Sequence, residues 1–442
     1  MHRLHLVSLG CPKNLVDSEL MLGSLQKAGW QVVEDAQQAD LLLINTCGFI
    51  QPAVEEAIEE ILDLAELKKQ FPPKRLVVTG CLVQRYKEKL VEELPEVDLF
   101  IGTEGVRDIV SPINLLMAGE NQPSPQLPER FLMDSRMERQ ISTPSFRAWL
   151  KITEGCSNRC SYCMIPTIRG PLRSREIGDL VIEAQRLEAQ GVKELTLIAQ
   201  DLTAFGTEKG GPGLVDLTRQ LLSQTTIPWM RLLYLYPEGI NDQLLALMAE
   251  ESRIVPYLDI PFQHVSDPVL KGMNRRYRCD DLYKLIERIR SHMPDCALRT
   301  TFLLGFPGEN DQDMALLESF IKEMKLDHVG VFGYTNEQGS PSEHFADQIP
   351  EAVKQERIDH ILSLQADISE RIQQKYIGST ESVLVEGLSR ETDLLLEGRT
   401  RYQAPDIDGC VYITDGQANP GDIVNVRISE AKTYDLIGEI CE

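Results

Sequence analysis

Three cysteines fall within eight residues in Cys156-Ser-Asn-Arg-Cys160-Ser-Tyr-Cys163, directly after Trp149-Leu-Lys-Ile-Thr-Glu-Gly155. The preceding stretch reads as a β-strand, so the triplet forms a loop at a strand end. No other feature limits the possible folds as much. The chain has ten cysteines in all. Met1-His-Arg-Leu-His runs into a short apolar segment, Leu4–Leu9, that stops at Gly10-Cys11, which is not a signal-peptide pattern. No run approaches the roughly 18 apolar residues that read as a membrane span. A cytoplasmic location is therefore expected, where thiols stay reduced and clustered cysteines serve metals or catalysis. Isolated cysteines are more often small buried hydrophobes, so spacing has to decide.

The strand before the triplet opens a repeating pattern. Strand candidates Ala148–Thr153, Glu194–Ala199, Met230–Leu235, Tyr257–Pro261, Leu298–Leu304 and His328–Tyr334 alternate with helical stretches such as Asp179–Ala189 and Asp281–Ser291. Six such units predict a partial (β/α)6 barrel with its functional loops at the C-terminal strand ends. Upstream, strands Leu4–Leu9, Leu41–Asn45 and Leu76–Thr79 alternate with helices Leu15–Ala28 and Ala53–Lys69, which predicts an open parallel α/β sheet. Downstream of about residue 375, Ser382–Val385, Leu394–Glu397, Val411–Thr414 and Ile423–Ile428 are separated by Gly and Asp turns, the pattern of a small all-β barrel. A stretch with Pro123, Pro125, Pro128 and Pro144 reads as a linker. The expected division is 1–118, a linker 119–141, 142–373 and 375–442: an α/β multidomain chain with a small all-β barrel at its C-terminal end.

Three thiolates on one loop can ligate three irons of a cubane cluster. No fourth Cys or His follows at short range, which leaves one iron open, as catalytic metal sites are. An open iron can chelate the amino and carboxylate groups of S-adenosylmethionine and pass it an electron, giving a 5′-deoxyadenosyl radical. Zinc is the alternative, although it usually takes four ligands in paired knuckles. Cys11, Cys47 and Cys81 form a second set in Val-Ser-Leu-Gly-Cys11, Ile-Asn-Thr-Cys47 and Val-Val-Thr-Gly-Cys81. Each ends a predicted parallel strand, and such ends share the sheet edge where ligands bind. Gly10, Gly48 and Gly80 let the backbone turn tightly there. Three buried cysteines ending strands by chance is the alternative.

The triplet, its place after the first barrel strand, Tyr162 before the third cysteine and the six-unit barrel resemble the radical SAM superfamily. Ile165-Pro-Thr-Ile-Arg-Gly-Pro-Leu-Arg-Ser-Arg175 is similar to its methylthiotransferase branch. That resemblance covers nearly the whole chain. It implies two 4Fe–4S clusters, one on Cys156, Cys160 and Cys163 and a sulfur-supplying one on Cys11, Cys47 and Cys81. It implies S-adenosylmethionine as both radical source and methyl donor, and a C-terminal TRAM-like module. By the same resemblance the loops carrying Gln200, Asp201, Gln263, Arg299, Gly305 and Glu309 border S-adenosylmethionine. No polar catalytic residue beyond the clusters is assigned. Asp201 and Glu309 also read as helix N-caps. Arg173 and Arg175 suit a carboxylate of cofactor or substrate, or solvent. Cys279, Cys296, Cys410 and Cys441 have no mutual metal spacing.

Within that branch, Val7-Ser-Leu-Gly-Cys11-Pro-Lys-Asn-Leu-Val-Asp-Ser-Glu19, Asn45-Thr-Cys-Gly-Phe-Ile50 and Tyr257-Leu-Asp-Ile-Pro-Phe-Gln-His264 resemble the enzymes that thiomethylate an aspartate β-carbon in a small-subunit ribosomal protein. The tRNA-adenosine enzymes typically carry Gln-Met in place of Pro12-Lys13. Charge gives an independent reason. The formal net charge is −23. From Lys375 to Glu442, six Lys and Arg stand against thirteen Asp and Glu, a net charge of −7. An RNA-holding module should be basic, whereas an acidic one suits a basic ribosomal protein. The expected partners are that protein, an electron donor and a sulfur source, with no membrane and no direct nucleic-acid binding. The alternatives are a tRNA adenosine methylthiotransferase, a non-catalytic iron–sulfur electron carrier, and a zinc-ribbon binding module.

Overall fold

The computed structural model describes residues 2–120 and 125–441; Pro123 lies outside them. The N-terminal sheet has five parallel strands in the spatial order Gln31–Val32, Arg3–Ser8, Leu41–Thr46, Arg75–Gly80, Leu99–Ile101. Leu41 to Thr46 is buried throughout, as a central parallel strand covered on both faces must be. The chain order reverses between the strands Arg3–Ser8 and Leu41–Thr46, and ligands of open α/β sheets bind at the carboxyl ends beside such a reversal. The two edge strands are too short to show a pattern in the sequence.

The central sheet has six parallel strands in sequential order: Arg147–Lys151, Glu194–Ile198, Trp229–Leu232, Ile254–Asp259, Ala297–Leu304 and His328–Gly333. Period-two alternation splits the strand residues. Leu150, Leu195, Leu197, Leu258 and Leu298 join the core under the outer helices. Trp149, Ile198, Trp229, Leu233 and Tyr257 turn inward. The helix Glu351–Gln373 closes the unit and leads to a closed barrel of Thr380–Leu388, Leu396–Thr400, Val411–Asp415, Leu436–Ile440 and Ile423–Ala431. Leu436–Ile440 is a fifth strand beyond the four expected. Its Gly438 would clash with Arg427 O at 2.5 Å if it carried a Cβ, so a glycine inside the strand hid its pattern. Among the described residues, no helix is long and apolar enough to cross a membrane.

The three parts are locked together by buried charge. The all-β barrel caps the N-terminal ends of the central strands. Glu194, fully buried at the start of its strand, accepts from Arg231 Nε at 2.7 Å and from Arg399 of the small barrel at 2.6 Å. Tyr257 donates to Asp408 at 2.7 Å, and Arg147 pairs with Asp406 at 3.1 Å. The N-terminal domain covers the opposite ends. Arg85 and Glu337 form a buried pair at 2.8 Å across that interface, and Gln51 N–H donates to the same carboxylate at 2.8 Å. The expected linker is a strap whose described part is anchored by polar contacts. Glu19 accepts from Arg139 at 2.8 Å and from the Ser142 N–H at 2.7 Å. Arg139 also reaches Glu183 at 2.6 Å, and Ser135 N–H donates to Asp179 at 2.6 Å.

Burial alone would raise the Glu194 carboxyl, but Arg399 and Arg231 outweigh it and hold the group at about 2, below its ordinary 4.5. A depressed carboxyl stabilises the fold above about 4.5, and that contribution fades as pH falls from about 4.5 towards about 2. Glu194→Gln leaves the buried Arg231 without its anion and Arg399 with Glu386 alone. It should destabilise the protein by about 3–5 kcal/mol at pH 7, read by urea unfolding, and reduce the loss of stability in acid.

Candidate functional site

Cys11, Cys47 and Cys81 each stand where a parallel strand gives way to a helix. Cys11 precedes the helix Pro12–Lys27, whose Pro12 suits a first turn that needs no N–H. Cys47 lies between Leu41–Thr46 and Gln51–Gln70, and Cys81 opens Cys81–Tyr86. The three loops are in contact. A Cβ on Gly10, whose φ is +89°, would lie 2.9 Å from Cys47 Cβ and 3.3 Å from its Sγ. A Cβ on Gly48 would meet Leu82 N at 2.8 Å and Cys81 C at 2.9 Å. Only glycine lets these backbones approach so closely. Burial pushes the Cys81 thiol up to about 12 against the pull of Arg169, with Cys47 and Cys11 adding to the rise. Burial also pushes Cys47 up, with Cys11 adding to it.

The triplet loop is braced from three sides. Cys156 N–H donates to Gly170 O at 3.0 Å, Ser161 N–H to Met273 O at 3.1 Å, and Ser342 N–H to Ser161 O at 3.0 Å. Asn158 donates to Asp201 at 2.7 Å. Burial pushes the Cys156 thiol up to about 11 and the Cys163 thiol up to about 12. Arg275 stands beside the loop. It donates to the Tyr162 hydroxyl at 2.8 Å and stacks over Tyr236 with 4.7 Å to the ring centroid. Cys47 and Cys81 in one set and Cys156 and Cys163 in the other are therefore thiols that burial keeps protonated, the state that a coordinated cation reverses outright. Among the described residues, no three His, Cys, Asp or Glu side chains converge on a point suited to a single metal ion. In a cubane, each thiolate binds its own iron.

Arg169, six residues after Cys163, reaches the N-terminal set. Its guanidinium is buried. It donates to Cys81 Sγ from Nε at 3.3 Å and from Nη2 at 3.2 Å, to Asp17 at 2.6 Å, and to Asn14 Oδ1 at 3.0 Å. Lys151, at the end of the first barrel strand, pairs with the same Asp17 and with Glu154 at 2.9 Å. Sequence reasoning missed Arg169, Asp17, Lys151 and Arg275 as a group. Arg169 stood inside a quoted motif, but its partner Cys81 is 88 residues away in sequence.

The expected cofactor-loop residues divide by what they already hold. Asp201 caps the turn Leu202–Ala204 by accepting from Ala204 N–H at 3.2 Å, and it also holds the triplet loop through Asn158. Glu309 does not cap its following helix; Asn310 does. Its buried carboxylate accepts from Gly305 N–H at 3.0 Å and from Arg357 at 2.8 Å. Gly305 has φ +77°, and a Cβ there would strike Lys354 Cγ at 2.3 Å. Its glycine is thus accounted for by the packing of Lys354. Arg299 pairs with Asp259 at 3.1 Å and with Asp408 at 3.6 Å, on the side of the C-terminal barrel. Gln200 and Gln263 are half-buried, and neither side chain has a hydrogen-bond partner among the described residues. Gln263 holds φ +69°, a strained conformation of the kind that clusters at ligand sites. Arg175 is buried against Asp179 and Glu183 at 2.7 and 2.6 Å, and Arg173 reaches Glu104 at 3.0 Å. Both are interior ion pairs.

Three family models match the chain in order: an uncharacterized protein family, UPF0004, over residues 3–102; the radical SAM superfamily over 150–321; and the TRAM domain over 377–441. The chain resembles solved structures of the radical SAM methyltransferase TsrM from Kitasatospora setae, with a TM-score of 0.58 at 13% identity over 83% of this chain and 89% of that one. It also resembles the cobalamin-dependent radical enzyme OxsB, with a TM-score of 0.55 at 11% identity over 83% of this chain and 56% of that one. These likenesses concern the fold alone. The ribosomal protein uS12 methylthiotransferase RimO of Desulfotalea psychrophila is 58% identical over 99% of both chains. That of Geotalea uraniireducens is 48% identical over 99% of this chain and 98% of the other. That of Bdellovibrio bacteriovorus is 45% identical over 99% and 97%. With this identity along its whole length and the radical SAM match at its centre, the chain belongs to the RimO family of methylthiotransferases, radical SAM enzymes that use S-adenosylmethionine and a 4Fe–4S cluster.

Proposed function

We propose that this protein attaches a methylthio group to the β-carbon of an aspartate in ribosomal protein uS12, giving 3-methylthioaspartate. Cys156, Cys160 and Cys163 hold the cluster that shares its open iron with S-adenosylmethionine. Cys11, Cys47 and Cys81 hold a second 4Fe–4S cluster that carries the sulfur. When bound, these groups supply a hydrogen-abstracting radical and a methylated sulfur to transfer. The observation that carries the reading is the Arg169 guanidinium, which follows the triplet by one short helix, Ile165–Ile168, and bonds Cys81 of the other set.

The chain's own residues bind, orient and exclude water. Gln200 and Gln263 offer unpartnered amides at barrel strand ends and contact S-adenosylmethionine. Asp201, Arg299, Gly305 and Glu309 support those loops through the contacts described above. Arg275 sets positive charge beside the triplet, and Arg169 does the same beside Cys81, favouring thiolate at both. The N-terminal domain covers the barrel mouth, which shields a reactive radical from solvent. The acidic C-terminal barrel supports a basic substrate. Arg399, one of its six basic residues, is buried against Glu194, so its charge does not offset the acidic outer face. The domain limits 1–118, 142–373 and 375–442 are part of this reading, as are a cytoplasmic setting and an external electron donor and sulfur source.

Purified anaerobically and supplied with reductant, sulfide and S-adenosylmethionine, the protein should shift the mass of uS12 by one methylthio group in place of one hydrogen. Unchanged uS12 alongside thiomethylated tRNA would favour the tRNA-adenosine alternative. The combined variant C156A/C160A/C163A should release no 5′-deoxyadenosine, yet keep the iron held by the N-terminal cysteines. Retention of all the iron would contradict the ligand assignment. Arg169→Ala leaves Asp17 with Lys151 alone and Cys81 without its donors. It should lower stability by about 3–5 kcal/mol, read by unfolding, and in the C156A/C160A/C163A background it should lower the iron that the N-terminal set retains, read by iron analysis.

A further inference from the structure

Of the six cysteines assigned to clusters, Cys81 is the one that receives side-chain hydrogen bonds among the described residues. Both come from Arg169. Its Nε and Nη2, one edge of the guanidinium, lie 3.3 and 3.2 Å from the sulfur. The opposite edge is held from behind. Nη1 donates to Asp17 at 2.6 Å and to Glu154 at 3.5 Å, while Nη2 also reaches Asn14 Oδ1 at 3.0 Å. Arg169 is 3% exposed, and Asn14 and Asp17 are buried with it. The cation is therefore fixed in orientation, with one edge aimed at a single sulfur and little water to screen it.

The other cysteines have weaker donors. Cys47 faces the backbone N–H groups of Gly48 and Phe49, Cys156 that of Asn158, and Cys163 that of Ile165. Arg275, the cation beside the triplet, directs its Nη2 to the Tyr162 hydroxyl at 2.8 Å, and it bonds no triplet sulfur among the described residues. The potential of an iron–sulfur cluster responds to hydrogen bonds at its cysteine sulfurs, to charge and to solvent exposure. Reduction adds an electron to a group that its thiolates have already made more negative. A cation bonded to a ligand sulfur therefore stabilises the reduced form more than the oxidised one.

We propose that Arg169 raises the one-electron reduction potential of the cluster held by Cys11, Cys47 and Cys81. The proposal rests on the reading above that these cysteines hold a second 4Fe–4S cluster, and it names what sets the redox behaviour of that cluster. Arg169 touches no reacting atom and acts through Cys81. Asp17 works in the opposite direction, because its carboxylate partly cancels the charge that the sulfur senses. The electron comes from an external one-electron donor, and no covalent bond or proton is exchanged in the step. A cluster that holds its electron more firmly is a weaker donor. Arg169 thereby leaves electron transfer to S-adenosylmethionine to the triplet, and the N-terminal set to its sulfur.

The test is an anaerobic redox titration of the full-length reconstituted protein with dithionite, followed by electron paramagnetic resonance. The C156A/C160A/C163A variant assigns the N-terminal signal. R169Q should make that cluster harder to reduce by roughly tenfold to a hundredfold in the one-electron equilibrium, about 60–120 mV downward. R169K, which keeps the charge but not the two-pronged contact, should fall by less. D17N should move the potential upward. An R169Q potential that stays or rises would overturn the proposal, since a rise is what simple loosening and entry of water would give. So would R169Q and D17N shifting in the same direction. If R169Q loses its iron, R169K and D17N decide on the same signs: a fall with a rise supports the proposal, and any other pair overturns it. A wild-type N-terminal set that holds no 4Fe–4S cluster would overturn the second-cluster reading itself, and this proposal with it.

Discussion

The contact of Arg169 with Cys81, Asp17 and Asn14 is the interaction on which the arrangement depends. A guanidinium offers several donors in a fixed plane, so one side chain can bond a thiol, a carboxylate and an amide from another domain at once. Lysine could not reproduce that geometry. Burying such a group is tolerated only because every direction it faces supplies an acceptor or an anion. Removing any one partner leaves the others with an uncompensated buried group.

The rest of the architecture distributes the remaining charges so that the mouth of the barrel stays closed. Asp17 and Glu19 lie on one helix. The first grips Arg169 and Lys151, and the second grips the strap through Arg139 and Ser142. The Arg85–Glu337 pair closes the same interface on its far side. At the opposite end, Glu194 ties the acidic barrel to the first residue of a central strand. The two ends of the central unit are thus closed by separate sets of buried ion pairs.

Much of this was legible in the sequence because it is written locally. The triplet spans one loop, and each of the six central strands carries a short apolar stretch between turn or helix signals. The strand–Cys–helix context of Cys11, Cys47 and Cys81 gave their convergence at one sheet edge. What was not legible was pairing at long range. Arg169 and Cys81 have no sequence relation, and Asp17 reads as an ordinary helical acid until Lys151 is placed beside it. Arg173, Arg175, Arg299 and Glu309 invited a ligand role as isolated polar residues at loop ends, but their partners come from other elements. The linker looked loose because proline removes periodicity, whereas its order comes from side chains gripping Glu19, Glu183 and Asp179. Leu436–Ile440 was hidden by its own glycine.

The central claim is that two clusters stand on either side of the Arg169 contact and serve one substrate. The most direct measurement is low-temperature electron paramagnetic resonance of the fully reduced, reconstituted protein. The account predicts two 4Fe–4S signals broadened by mutual spin–spin interaction. Each variant that removes one cysteine set should leave a single unbroadened signal. Two signals that ignore each other, or a single cluster in protein with all six cysteines intact, would contradict it.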